Sequence, residues 1–488
     1  MRRPKSSLAI TSLLFVALLY WGAIAPVASV FAAQSTAAES VFEILPYVQL
    51  GDAVDSTTLD MCWGTKAKGA FKLEYKQDGE ENYRSAEPLE QSLYARPALR
   101  FFVCKLSSLK SDSEIDYKIV RDGNLVFEGS CKSRPSADKG FKAVLLGDIA
   151  GGADGVGTLL PKISGQHADL LVFTGDLVAP LGSSANYVQK FFPSLSGVKS
   201  SSGSLLSEMI SVACPGDRDL SCDKYDPDHD NRRLDVNEGG MAFFSLWKLP
   251  LNGPGKPGEK NTPVATGSAV QVQELINHAG KSYPTSANYS FDFGLSHWLV
   301  LDGNAYVDWR DEKWQKWVRD DLAASSKKWK FVVMHQPGFS SDTSYGEEQR
   351  MRFLSPLFEQ GGVSIVFSGH SNSYQRSMPM HFTVAESQDL DRESKLGFVY
   401  GKFKLDRNFD SDSKNRPDGV IYVISGGGGA EPRAERRIQD DMTRWQPFTK
   451  KFFCANNSFT VLDVQDTELV MKQVSEDGSV VDSVKIAR

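Results

Sequence analysis

Two textures of apolar and polar positions divide the chain. From Phe42 to Ser136, short alternating runs such as "TTLDMCWGT", "FKLEYK", "RFFVCKL" and "IDYKIVRDG" are separated by turn-rich pieces. A period of two puts one strand face in a core and the other in water, so this region predicts a small antiparallel β-sandwich. After "RPSADKG" the runs become almost wholly apolar, and several end in a polar residue and glycine: "FKAVLLGDIAGG", "ADLLVFTGDL", "MISVACPGDRD", "HWLVLDG", "WKFVVMHQP", "VSIVFSGH" and "GVIYVISGGGG". Such runs predict strands buried on both faces beneath helices or other layers. The polar residues at their ends then gather along one edge of a sheet.

The segment "DEKWQKWVRDDLAA" predicts a helix whose Trp314, Trp317, Val318 and Leu322 share one core-facing side. Residues 223–285 form a polar, Gly- and Pro-rich interval, loosest in "LNGPGKPGEKNTPVATG", and are expected to be an insertion. The tail "SFTVLDVQDTELVMKQVSEDGSVVDSVKI" reads as three strands closing the second sheet. No repeat of fixed period is visible, which excludes a solenoid.

A length of 488 residues exceeds what one core usually supports, so two domains are expected. The net charge of -6 without a long basic run offers nothing to neutralise nucleic-acid phosphates, and points to a small-molecule partner. Residues 1–33 have a basic start, a long apolar stretch and small residues near Ala32 and Ala33, the layout of a secretory signal. The mature protein is therefore expected to be secreted or periplasmic, with no membrane contact after cleavage. Leu8 to Ala33 is also long enough to cross a bilayer uncleaved, so an N-terminal anchor is the alternative. Six cysteines permit disulfides without fixing their pairing. Cys214 and Cys222, which flank "PGDRDLS", read either as a local bridge or as two buried thiols.

Candidate chemistry lies at the strand ends: Asp148 after "LLG", Asp176 after "FTG", Asp217 in "PGDRD", His335 in "VVMHQP" and His370 in "SGH". A lone carboxylate or imidazole in such a place is usually a cap or loop partner. Five of them on one sheet edge form a ligand set, and oxygen donors mixed with imidazoles suit Fe, Mn or Zn, with Mg also acceptable.

The ordered series "GDIAG", "FTGDL", "PGDRD", "VVMHQP" and "SGHSNSYQRS" resembles the calcineurin-like metallophosphoesterases, whose pattern is GDx, GDxx, GNH[DE], a histidine and GHxH. "ILPYVQLG", "ANYSFDFGLSHWLVLD", "YQRS" and "GVIYVISGGGGA" resemble the purple acid phosphatase branch of that superfamily. The resemblance implies an α/β (α+β) fold: a two-sheet metallophosphoesterase sandwich flanked by helices over 140–488, preceded by a small all-β, fibronectin-III-like sandwich over 42–136. It implies that Asp148 binds a first metal, that Asp176 bridges two, and that Asp217, His335 and His370 complete the second. The implied activity is acid-phosphatase-like hydrolysis of phosphate monoesters or activated phosphoesters by a metal-bound hydroxide. The small phosphorylated substrate is the implied partner.

Four positions depart from the family pattern. Asn372 stands where the second GHxH histidine would bind the first metal, Asp217 replaces an asparagine, and Arg218 replaces a catalytic histidine. Ala179 stands where purple members carry the tyrosine that gives their colour, so this protein is expected not to be purple. An amide oxygen from Asn372 is a weak exchange for imidazole at Zn or Fe. Arginine holds phosphate bidentately but stays charged and cannot act as a general acid. Arg218 can instead pair with Asp217 or Asp219 and block the pocket. The alternative function is accordingly a disarmed phosphatase fold that binds or scaffolds.

Two further stretches carry weaker signals. Asp226, Asp228 and Asp230 occupy the first, third and fifth places of a Ca2+-loop-like segment, although Asn231 replaces the turn glycine and Glu238 falls one place late. "SGGGGA", residues 425–430, lacks the lysine and helix of a P-loop and reads as a tight turn beside the site.

Overall fold

The computed structural model describes residues 41–149, 153–197, 203–222, 229–343, 346, 348–386, 397–431 and 436–488; the expected leader lies outside them. The leading region holds β1 (Ile44–Gln49), β2 (Leu59–Thr65), β3 (Phe71–Gln77) and β4 (Arg84–Ala86). It continues with β5 (Leu89–Leu93), β6 (Arg96–Leu106), β7 (Glu114–Arg121) and β8 (Asn124–Lys132). The apolar runs that follow are β9 (Phe141–Leu146), β10 (Leu170–Phe173) and β11 (Ile210–Ala213). The interval contributes β12 (Arg233–Asp235) and β13 (Val264–Thr266), and then come β14 (Tyr289–Phe293), β15 (Ser296–Leu301), β16 (Trp329–Met334), β17 (Ile365–Ser368) and β18 (Tyr374–Ser377). The chain ends with β19 (Met380–Val384), β20 (Gly401–Leu405), β21 (Ile421–Ser425), β22 (Thr449–Phe453), β23 (Ser458–Val464), β24 (Glu468–Ser475) and β25 (Val480–Ala487).

Among the described residues these build two large sheets. The first has the order β25-β24-β23-β9-β10-β11-β1-β2-β6-β5, and the second β14-β15-β16-β17-β21-β18-β22. Strands β9, β10 and β11 run parallel, as do β15, β16, β17 and β21. Their apolar faces meet where Phe141 of the first sheet packs edge-on against Phe293 at 5.0 Å and against Trp298 at 6.5 Å in the second. The Tyr289 hydroxyl donates to Ala213 O (2.8 Å), tying one sheet to the other where an apolar contact would leave a carbonyl unpaired.

The leading sandwich forms, with β4-β3-β7-β8 as its second layer. Phe71 of that layer meets Phe102 of β6 at 5.1 Å. Its other sheet does not end at the boundary: β1 pairs with β11 at Gln49 and Ser211, and the Ser211 hydroxyl donates to Val48 O. The three tail strands also differ from expectation. They extend the first sheet through β23 against β9 rather than closing the second, because hairpin patterning specifies strands but not the edge they join.

The predicted helix spans Glu312–Ala324, with the Asp311 carboxylate accepting the N–H groups of Lys313 and Trp314. Trp314, Val318 and Leu322 are buried, and Trp317 is partly buried with its indole N–H on Asn252 O. Within 223–285, β12 and β13 pair in parallel and a helix covers Ala269–Ala279. All six cysteines are buried thiols, so Cys214 and Cys222 form no bridge.

One polar cluster links β14, β15 and this helix. His297 Nδ1 lies 2.8 Å from Asp292 and Nε2 lies 2.8 Å from Asp321, in a cleft also lined by Arg134 and Lys327. Burial disfavours the imidazolium, but the hydrogen bonds to Asp292 and Asp321 outweigh it and raise its pKa to about 9. A pKa higher in the folded than in the unfolded state gives stabilisation that is complete below about 6.5 and lost as pH rises through the folded value. Allowing for the exposed Asp292, this group is expected to contribute about 2 kcal/mol at pH 7 and nothing above pH 10. Urea unfolding midpoints of wild type and His297→Gln should therefore differ at pH 7 and converge by pH 10.

Candidate metal centre

The parallel strands of both sheets end at the same edge, and their first residues outside the ladder form the site. Asp148 lies two residues beyond β9, Asp176 three beyond β10 and Asp217 four beyond β11. His335 directly follows β16, and His370 lies two beyond β17. Asp148, Asp176 and His370 all adopt left-handed backbone conformations (φ 57°, 55° and 70°). Non-glycine residues in that region are uncommon and concentrate at functional sites, where the surrounding structure holds them. Here the chain turns back two or three residues after leaving the sheet, which aims each side chain along the edge.

Backbone bonds lock these turns to one another. Asp148 N–H donates to Gly175 O, Gly369 N–H to His335 O, and Ala430 N–H to Asp148 O. The "SGGGGA" segment is the expected tight turn: a Cβ at Gly426 would lie 2.1 Å from Ser371 O and 2.6 Å from Asp148 Oδ2.

His335 is fully buried and donates from Nδ1 to Thr174 O at 2.7 Å. That bond fixes the tautomer and leaves Nε2 as the nitrogen that could bind an ion. Nε2 lies 3.1 Å from Asp217 Oδ1, 3.2 Å from His370 Nδ1 and 3.3 Å from Asp176 Oδ1; His370 Nδ1 is in turn 3.1 Å from Asp217 Oδ1. Ligands held at about 2.1 Å from a shared ion sit about 3.0–3.4 Å from each other in tetrahedral or octahedral arrangements. Asp217, His335 and His370 therefore fit a metal ion as they stand.

Burial acts against the Asp217 carboxylate, but His370 and His335 hold its pKa well below the ordinary range. Burial also opposes charge on both imidazoles, yet the surrounding carboxylates raise His335 well above its usual value and His370 to about 10. Asp148 is pushed up to about 8 by burial, with Asp176 adding to it. In this cluster protons on the two imidazoles meet the charge of the carboxylates, and a metal ion would compete with those protons for the ring nitrogens.

A second combination, Asp148, Asp176 and His335, is close enough to hold an ion but needs the same His335 nitrogen. Asn372 is buried next to this half, with its amide nitrogen donating to Glu431 O at 2.6 Å. Arg218 takes a third partner rather than Asp217 or Asp219, the two that the alternative reading offered. Its Nε lies 3.2 Å from Asp176 Oδ2, and its backbone N–H donates to Asp176 Oδ1 at 3.0 Å. Asp219 is instead fully buried, accepting the N–H groups of Leu177 and Gly216 and the Tyr187 hydroxyl. That bonding removes it from Arg218's reach and makes it the internal support of the loop.

Two of the Ca2+-loop residues, Asp226 and Asp228, lie outside the described residues. The third, Asp230, has both carboxylate oxygens on the Arg232 guanidinium at 2.9 and 3.0 Å, so its charge is met by a side chain. Sequence reasoning missed Glu348. Its carboxylate lies 3.0 Å from His370 Nε2, an outer-layer contact that turns Nδ1 toward Asp217. Glu348 follows no apolar strand run, so the pattern that found the other ligands carried no signal for it.

Residues 141–374 match the family model for calcineurin-like phosphoesterases. The chain is 31% identical over 117 residues to purple acid phosphatase 21 of Arabidopsis thaliana, covering 23% of this chain and 26% of that protein. It is 25% identical over 211 residues to probable inactive purple acid phosphatase 1 of the same plant, covering 41% of this chain and 30% of that protein. The matched stretches thus span less than a third of each relative. A purple acid phosphatase structure from yellow lupin (Lupinus luteus) seeds superposes with a TM-score of 0.60 at 15% identity, covering 91% of this chain and 74% of that one, and shares its fold.

If Glu348 orients His370, Glu348→Gln should weaken Mn2+ binding about 10- to 100-fold, the usual range for an outer-layer partner. Titration calorimetry measures this, and an unchanged affinity would remove Glu348 from the site.

Proposed function

We propose that this chain, whose residues 141–374 belong to the calcineurin-like phosphoesterase family, is an exported metal-dependent phosphoesterase. The observation that carries the reading is the mutual approach of Asp217 Oδ1, His335 Nε2 and His370 Nδ1 within 3.1–3.2 Å at one sheet edge. Fe, Mn and Zn suit these donors, Mg less well. When bound there, the ion supplies Lewis-acid charge to a phosphoryl oxygen and lowers the pKa of water.

The remaining work falls to the chain's own groups. Thr174 O and Glu348 hold the two imidazoles in one tautomer, so neither ring turns during a reaction. Arg218 has its Nε on Asp176 and is about a quarter exposed (side chain 26%), and its outer N–H groups bind two oxygens of the substrate phosphate. Water displaces the leaving group in line: a new P–O bond forms, the ester P–O bond breaks, the leaving group departs as its oxyanion, and the proton lost by the attacking water passes to solvent. Arg218 keeps its proton, so the departing oxygen receives none from it. Substrates are therefore small phosphates with good leaving groups, aryl esters or anhydrides. Asn372 contributes at most an amide oxygen to the Asp148 side.

Export follows from the leader at 1–33, and the described residues contain no helix long and apolar enough to cross a membrane. The domain plan is a fibronectin-III-like sandwich over 42–136 and a phosphoesterase domain over 140–488 with an insertion at 223–285. One observation favours the rival function, a disarmed scaffold: the Arg218–Asp176 pair engages the carboxylate expected to bridge two ions.

Hydrolysis of p-nitrophenyl phosphate and of an alkyl phosphate under added Mn2+, Zn2+, Fe2+ and Mg2+ separates the two. The phosphoesterase reading expects turnover that disappears in Asp176→Ala, with aryl over alkyl preference of about 10²- to 10⁴-fold, the usual size of the missing acid catalysis. Absence of turnover with every ion supports the scaffold.

A further inference from the structure

We propose that the guanidinium of Arg218 takes the place of a first metal ion, so that the chain holds one ion, at Asp217, His335 and His370. The inference rests on the metal-centre reading above and concerns the half of the site that does not fit a second ion.

His335 carries one free lone pair. With Nδ1 committed to Thr174 O, Nε2 can complete the Asp217–His370 set or the Asp148–Asp176 set, but not both. Choosing the first leaves two carboxylates for any second ion, and three of their four oxygens are already engaged. Asp148 Oδ2 accepts the His370 backbone N–H at 2.9 Å. Both oxygens of Asp176 are gripped by residue 218, one by its backbone N–H and the other by its guanidinium. The family pattern would add a donor at residue 372, which here is the neutral amide of Asn372, with its nitrogen anchored on Glu431 O.

The loop is built to keep this contact. A Cβ at Gly216 would lie 2.3 Å from both Asp176 N and Asp176 Oδ1, so only glycine lets the backbone before Arg218 lie against that carboxylate. Asp219, three residues after Gly216, accepts the Gly216 N–H at 2.9 Å and closes the turn. Two buried carboxylates side by side cannot both ionise without a compensating cation. Arginine supplies one that is permanent and planar and, unlike an ion, cannot dissociate.

The test is metal stoichiometry of the full chain, by native mass spectrometry and calorimetry with Mn2+ and Zn2+, for wild type, Arg218→Lys and Arg218→Ala. Thermal unfolding checks that each variant folds. The expected result is one ion in wild type and in the lysine variant, which keeps the charge. In Arg218→Ala a second ion should bind at least about tenfold more tightly than any second ion binds wild type. Two ions in wild type or in the lysine variant overturn the inference and leave the hydrolase reading standing. A single ion in Arg218→Ala also overturns it. No ion in wild type overturns the metal-centre reading itself, and the inference with it.

Discussion

His335 stands where the ends of the two sheets meet, and the site is organised by what its ring can and cannot do. One nitrogen is committed to Thr174 O beyond β10, in the opposite sheet from β16, which carries the histidine. The other is the nearest neighbour of three different groups, Asp176, Asp217 and His370. A single lone pair cannot serve two ions. The division of the pocket into a well-furnished half and a poor one follows from this, as does the use of an arginine to meet the charge left over.

The rest of the molecule holds that arrangement still. Parallel strands from both sheets end at one edge, and left-handed residues at Asp148, Asp176 and His370 turn the chain two or three residues beyond each end. Such conformations persist only when neighbouring structure dictates them. The dictating contacts are the backbone bonds between strand ends, glycines where a Cβ would collide, and Asp219, whose three donors hold the Asp217–Arg218 turn from within. The continuous first sheet extends this support through β1 and β11 into the leading sandwich. That layer lies far from the chemistry in sequence but shares a ladder with the strand that carries Asp217.

What the sequence disclosed was local in origin. Uninterrupted apolar runs mark buried strands whatever their neighbours, so β9, β10, β11, β15, β16, β17 and β21 and the polar residues after them were legible. The helix over Glu312–Ala324 was legible for the same reason, from its apolar spacing and Asp311 cap. Pairings between distant segments were not. Nothing in the alternation of the tail distinguishes β9 from β22 as its partner. The partner of Arg218 was not legible either: Asp219 is held beneath Tyr187 and Asp217 lies against His335 and His370, which leaves Asp176. Glu348 was invisible because a loop residue with no flanking pattern gains its role only from the ring it touches.

The most direct test of a metal centre shared by Asp217, His335 and His370 is anomalous diffraction at the manganese edge from a crystal of the full chain grown with Mn2+. The account predicts a strong peak within coordinating distance of Asp217 Oδ1, His335 Nε2 and His370 Nδ1, with the Arg218 guanidinium still on Asp176. A map without a peak there, or with the ion between Asp148 and Asp176 and Arg218 displaced, would contradict it.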